Sequence, residues 1–202
     1  VLNSMKRNPA NKLYQIILYL APGDYHRFHS PADCTFKTRN HIIGKLLPVK
    51  ENYVKTHTGV YEKNERVSLF GDWVKGLMCM VFVGALNVGS IDLNFDESLQ
   101  TNRKLKMPFT NTDVKVYTEG LPKEGEEESK ESSESSPNAA NATTGTNYKI
   151  TPKGIPIGKG DEIGKFNLGS TIVLVFEASP DFEWKVQPGD AVKYGQCIGL
   201  SQ

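Results

Sequence analysis

The sequence has little of several things that would narrow its role. Cysteine occurs three times in 202 residues, at Cys34, Cys79 and Cys197. Three widely separated thiols build neither a disulfide framework nor the paired spacing of a zinc site, so no metal is expected. Cys79 lies in an apolar run and is expected to be buried. No apolar run approaches the ~20 residues that a membrane-spanning helix needs. The longest, Leu13–Ala21 and Leu77–Leu86, read as core. Net charge is only +1, which gives no reason to expect nucleic acid as a partner. The apolar share, 38%, is below the usual globular level. Val1–Leu13 has no acidic residue, and its Lys6, Arg7 and Lys12 argue against a signal peptide. The missing initiator Met suggests a partial chain, with any targeting information upstream.

What is present reads mostly as β. Short runs of Val, Ile, Phe and Tyr are separated by Gly, Pro and Asn, the signature of strands and turns. The expected strands are Tyr14–Leu20, Gly59–Tyr61, Trp73–Val83, Val88–Leu93, Val114–Tyr117 and Ile172–Phe176. Leu77–Val83 is apolar on both faces, as a central strand would be. Helix signals are few. A short helix before Tyr14, or around Ser4–Lys12, is weakened by Pro9.

The segment Pro122–Asn147 has no aromatic or branched aliphatic residue. It cannot bury enough apolar surface to offset its ordering entropy and is expected to be a disordered acidic, Ser-rich insert in a single domain covering residues 1–202. The rival reading is an acidic binding tail. Its sequon, Asn141-Ala142-Thr143, matters only in a secretory protein.

Near the C-terminus, Val186-Gln187-Pro188-Gly189-Asp190 suits a tight turn, followed by a short strand and a second turn near Gly195. These turns resemble those of biotinyl- and lipoyl-type barrel-sandwich domains. The carrier lysine of such domains is absent, so the likeness concerns architecture only. The expected fold is a compact β-barrel or sandwich of barrel-sandwich-hybrid type with few short helices.

Two loci could carry chemistry. Leu20-Ala21-Pro22-Gly23-Asp24-Tyr25-His26-Arg27-Phe28-His29-Ser30-Pro31 places two imidazoles, an arginine and an aspartate between chain breakers. Functional residues concentrate on such loops, and histidine is the usual proton carrier near neutral pH. The plain alternative is a polar turn with a satisfied histidine. The second locus, Leu168-Gly169-Ser170-Thr171, runs straight into a β segment. Gly169 permits strain or close approach, and Ser170 could act as a nucleophile beside a base. Taken alone, it reads as an ordinary turn. It is not a Gly-x-Ser-x-Gly elbow, because Ile172 stands two residues after the serine.

Together these loci resemble the phosphatidylserine decarboxylases. Leu168-Gly169-Ser170-Thr171 resembles that family's processing motif, and Asp24-Tyr25-His26-Arg27-Phe28-His29 its histidine motif. Further matching blocks are Gly44–Val49, Asn64–Val67, Val83–Ile91 and Lys159–Phe166. They run in family order from about residue 13 onward. The acidic insert and the sequence after the cut look most like a fungal mitochondrial member.

The resemblance implies a self-made cofactor. Ser170 Oγ attacks the Gly169 carbonyl, converting amide to ester. Elimination frees the upstream chain and leaves a dehydroalanine, which hydrolyses to a pyruvoyl group and ammonia. His29 is the implied base for Ser170, because a free hydroxyl is a poor nucleophile. In the mature enzyme the pyruvoyl ketone forms a Schiff base with the amine of phosphatidylserine and accepts the electrons left by CO2 loss. His26 is the implied acid that protonates the carbanion, and phosphatidylethanolamine is released. Arg27 is a candidate contact for the substrate phosphate, with a surface salt bridge as the alternative. The implied partners are the membrane surface and the two chains (α and β) that the cut produces. The implied location is the mitochondrial inner membrane.

The chain departs from the family in one respect. The family supports its processing base with an aspartate in an upstream Pro-x-Asp-Gly segment, which this sequence lacks. Asp24 belongs to the histidine motif and is not that residue. Without the carboxylate the base loses tautomer control. The family's N-terminal membrane-contacting part is also missing. The chain reads as a fragment of an active parent, with a non-catalytic, unprocessed β-domain as the rival reading.

Overall fold

A computed structural model describes residues 5–86, 90–103, 112–117, 153–167 and 169–201. The expected insert, 122–147, lies outside the described residues. The class is mostly β. The strands are β1 (Lys12–Leu20), β2 (Arg27–His29), β3 (Cys34–Ile42), β4 (Arg66–Trp73), β5 (Gly76–Val83), β6 (Ile91–Leu93), β7 (Thr112–Val116), β8 (Ile155–Ile157), β9 (Glu162–Phe166), β10 (Ser170–Ala178), β11 (Glu183–Trp184) and β12 (Gly199–Leu200). Two short helices, α1 (Glu51–Thr56) and α2 (Val60–Lys63), lie between β3 and β4. No helix among the described residues is long and apolar enough to cross a membrane.

The main sheet runs in the order β1-β10-β5-β4-β3-β7, with β8 also pairing β3. All of its pairings are antiparallel. A smaller sheet has the order β2-β9-β6. In β1 the exposed Gln15, Ile17 and Tyr19 alternate with the more buried Tyr14, Ile16, Leu18 and Leu20. This two-residue period is that of a strand with one face on the core. The central strands β5 and β10 are buried on both faces along most of their length. Phe28 of β2, Phe82 of β5 and Phe166 of β9 join the two sheets. The Phe28 and Phe82 rings stack at 3.8 Å, and Phe166 meets Phe28 edge-on at 5.1 Å. Such aromatic burial is among the largest stabilising contributions a core can receive.

Several expected elements differ. Gly59–Tyr61 is not a strand. Gly59 takes a left-handed conformation (φ 71°) that leads into α2, where local bonds from Lys63 N to Gly59 O and Asn64 N to Val60 O close the turn. Trp73–Val83 divides into the end of β4 and all of β5, because Val74-Lys75 turns the chain into an antiparallel hairpin. Lys6–Asn11 forms turns and bends rather than a helix, and β1 begins at Lys12. Of Val88–Leu93, the described strand is Ile91–Leu93, and residues 87–89 lie outside the description. Val114–Tyr117 begins earlier, at Thr112, and ends at Val116. No strand separates the two C-terminal turns; pairing occurs instead between β11 and β12.

Candidate functional site

The two loci meet at the junction of β1 and β10. The nine-residue ladder between these strands ends on the pair Leu20 and Ser170. The histidine loop therefore leaves β1 where the processing motif enters β10. Asp24 shapes that loop: Ala21 N donates to its carboxylate at 2.7 Å, and Asp24 N donates to Ala21 O at 2.9 Å. This is the self-bonding that Asp favours in turns. The turn brings backbone against the cut position. A Cβ on Gly169 would lie 3.1 Å from both Leu20 O and Pro22 N, so only glycine fits there without displacement.

β2 carries His29, and His26 stands immediately before it. Phe28 is buried in the core, while Arg27 is exposed and His29 half-buried. The ladder with β9 is irregular between Phe28 and His29. Phe166 N donates to His26 O at 2.9 Å, tying the first histidine to the strand that leads into the processing motif. Both His26 ring nitrogens are buried and have no hydrogen-bond partner. A buried unpaired polar group typically costs about 1–3 kcal/mol, so its presence calls for an explanation.

His29 is fully engaged. Its Nδ1 lies 2.9 Å from Gly160 O and its Nε2 2.8 Å from the Tyr25 hydroxyl. The acceptor facing Nδ1 is thus a backbone carbonyl. Tyr194 packs on the same ring at 4.4 Å, and its hydroxyl donates to Gly160 O at 3.3 Å. Ser170 is fully buried, and its hydroxyl donates to Val83 O. The structure brings Ser170, Gly169 and the histidine loop into one region, but no hydrogen bond joins His29 to Ser170 in it. Thr171 is also fully buried. Burial raises the Tyr61 phenol, and the neighbouring Thr171 side chain opposes that rise.

Arg27 pairs with Glu162 at 2.5 Å on the surface. Hydrogen bonding from Asn94, followed by that from Arg27, holds the Glu162 carboxyl below its usual range. His41 and His57 lie elsewhere. His41 forms a buried pair with Glu65 at 2.8 Å, and His57 stacks on Tyr53 at 3.9 Å. Among the described residues no group of three or more His, Cys, Asp or Glu could hold a metal. An open groove of about 730 Å³, lined in part by Lys37, Asp72, Trp73 and Lys153, includes none of His26, His29 and Ser170.

Sequence reasoning missed the contacts of Tyr25, Gly160 and Tyr194. Tyr25 lies within the histidine motif, one residue from His26, but its side chain is not a usual proton carrier. Gly160 acts through its carbonyl, which no side-chain pattern reveals.

Comparison with known proteins agrees with the two motifs. The family model for phosphatidylserine decarboxylase matches residues 2–200. The mitochondrial phosphatidylserine decarboxylase proenzyme 1 of Candida albicans is 40% identical over 93% of this chain and 34% of its own length. The mitochondrial proenzyme of Cricetulus griseus is 38% identical over 98% of this chain and 41% of its own. The mitochondrial proenzyme 1 of Saccharomyces cerevisiae is 40% identical over 94% of this chain and 33% of its own. The chain thus spans between a third and two-fifths of these relatives. With the family model covering nearly its whole length, the chain belongs to the phosphatidylserine decarboxylase family.

Proposed function

We propose that this chain is the catalytic part of an enzyme that cuts itself between Gly169 and Ser170 and then decarboxylates phosphatidylserine to phosphatidylethanolamine. The reading rests on the end of the β1–β10 ladder, where the pair Leu20 and Ser170 joins the histidine loop to the processing motif. In this reading Ser170 is the nucleophile and the precursor of a pyruvoyl group, and His29 is the base that accepts its proton.

The residues around Ser170 suit such a group. The buried ring nitrogens of His26 lack partners within the protein, which is consistent with a polar partner that arises only after processing. When formed, the pyruvoyl would supply an electron sink for carbanion chemistry. The buried strand start excludes water from its position. His26 then holds a proton for delivery to the substrate carbon, the general-acid role that an imidazole commonly serves. Arg27 is a substrate-phosphate candidate only if it leaves Glu162, with which it now pairs.

The relatives' names support a mitochondrial setting for the complete protein. Phosphatidylserine as substrate makes a membrane surface the implied partner, and the inner membrane follows from the family resemblance. The barrel-sandwich-hybrid arrangement is likewise a proposal, supported by the turns of Val186–Gln196. The engagement of Ser170 with Val83 and of His29 with Tyr25 and Gly160 favours a second reading, a non-catalytic, unprocessed domain.

Intact-mass analysis of the complete protein separates the two. The first reading expects two chains, the downstream one beginning at a blocked residue 170, and a single chain in Ser170→Ala. A wild-type protein that stays whole and fails to decarboxylate phosphatidylserine would support the second. One that stays whole yet decarboxylates would overturn the cofactor assignment.

A further inference from the structure

Three residues surround the imidazole of His29, and together they fix more than its position. A carbonyl can only accept a hydrogen bond. The 2.9 Å contact between Nδ1 and Gly160 O therefore places a proton on Nδ1. In the neutral ring this leaves Nε2 as the single basic nitrogen. The Tyr25 hydroxyl, 2.8 Å from Nε2, is then the donor, and it occupies the lone pair that would receive the serine proton. The Tyr25 ring stacks on His29 at 5.8 Å with 23° between planes, and Tyr194 packs on both, at 5.3 Å from Tyr25 and 4.4 Å from His29.

The acceptor is fixed as firmly as the ring. Gly160 has φ +88°, a left-handed conformation that glycine adopts without cost. Its N–H donates to Ser30 O at 2.8 Å, and Ser30 N donates to Asp161 O at 2.9 Å. The carbonyl is thereby held by backbone bonds to the residue that follows His29. Ser170, for its part, donates to Val83 O. Base and nucleophile are each occupied by another group.

We propose that Tyr25 is a positioning residue that latches the processing base. Its hydroxyl caps His29 Nε2 while the Gly160 carbonyl holds the tautomer, so cutting at Gly169–Ser170 waits for that hydroxyl to leave. The latch rests on the reading of His29 as the base for Ser170. It also gives the uncut chain a resting state in which correct folding does not by itself start the reaction.

The test uses the complete precursor. Tyr25→Phe keeps the ring packing and removes only the hydroxyl, so cutting should speed up by about fivefold, the worth of one ordinary hydrogen bond. Loss of a merely structural contact would leave the rate unchanged or slow it, and either result overturns the latch. Nitrogen-15 NMR of the uncut Ser170→Ala precursor gives an independent readout. His29 should appear as the Nδ1–H tautomer, and adding Tyr25→Phe should move its Nε2 resonance toward that of an uncapped ring nitrogen. An unmoved resonance also overturns the latch. His29→Ala distinguishes the two levels of the argument. If it blocks cutting while Tyr25→Phe has no accelerating effect, the base reading stands and the latch falls. If His29→Ala is cut normally, the base reading itself is wrong and the latch goes with it.

Discussion

The two ends of the main sheet use buried polar groups in opposite ways. At the β3–β7 end, Arg39 and Asp96 are buried and paired at 2.9 Å. Lys115 and Tyr117 donate to the same carboxylate at 2.7 and 2.9 Å, and Arg39 also reaches Asp113. Burial pushes the Asp96 carboxyl up, but these bonds, one from Ser98 and the charge of Arg39 outweigh it and hold the group at about 2. At the β1–β10 end, the nitrogens of His26 are buried and unpaired, and His29 has a carbonyl and a phenol for partners. The first arrangement pairs each charge with an opposite one, leaving a single buried nitrogen, Arg39 Nη1, without a partner, and so holds strands together. The second leaves polar atoms open, as a site must if a substrate or a newly formed group is to complete it.

The largest expected effects break this contrast at the histidine end. His29→Ala in the complete protein should abolish the appearance of two chains on a denaturing gel. His26→Ala should still be cut but should lose roughly 100- to 10,000-fold in turnover, the usual worth of a general acid or base. Its melting temperature should stay near that of the parent, because no hydrogen bond is lost. If His26→Ala is instead destabilised like a core mutant, its nitrogens have partners and the contrast fails.

The opposite behaviour is expected at the other end. Asp96→Ala removes the buried partner of Arg39 and leaves it only the exposed Asp113, and should cost up to about 3–5 kcal/mol in urea unfolding. The same group predicts a pH dependence. Its folded value of about 2 lies below the unfolded aspartate value, which is about 3.9. The stability it contributes is complete above roughly pH 4 and is lost as pH falls toward 2. Asp96→Asn should flatten stability over that window. A variant that keeps the full acid-induced loss would show that other carboxylates set it.

The smallest effect is expected between these regions. Replacing 122–147 with a short Gly/Ser linker should leave unfolding within about 1 kcal/mol, since closure entropy changes by only ~0.6 kcal/mol per doubling of length. Composition alone motivates this. A deletion that prevents folding would make the segment part of the domain.

The same contrast explains what the sequence revealed. β1, β5 and β10 were legible because apolar and β-branched residues fill them. β3, read from Cys-Thr-Phe-Lys-Thr-Arg-Asn-His-Ile, was not, because its buried positions include Arg39 and His41. Those residues belong in a strand only once Asp96 and Glu65, far along the chain, supply their partners. The short α2 was mistaken for a strand because four residues carry too little periodicity to tell the two apart. At the site, family motifs named Ser170 and the two histidines as candidates, while the contacts of Tyr25 and Gly160 depend on distances that no motif encodes.

The position of β10 determines what the proposed cut would leave behind. Ser170–Ala178 lies between β1 and β5, paired with nine residues on one side and six on the other. A break before Ser170 would therefore not release a peptide. It would leave a nicked domain in which one fragment supplies an interior strand and the other supplies both of its neighbours. Neither piece would be expected to fold by itself: the smaller would expose two unpaired backbone edges, and the larger would open a slot through its centre. The two fragments should co-purify under native conditions and separate only in denaturant. Reconstituting them from separate expression would then amount to inserting a strand, competing at every step with self-association of the short piece.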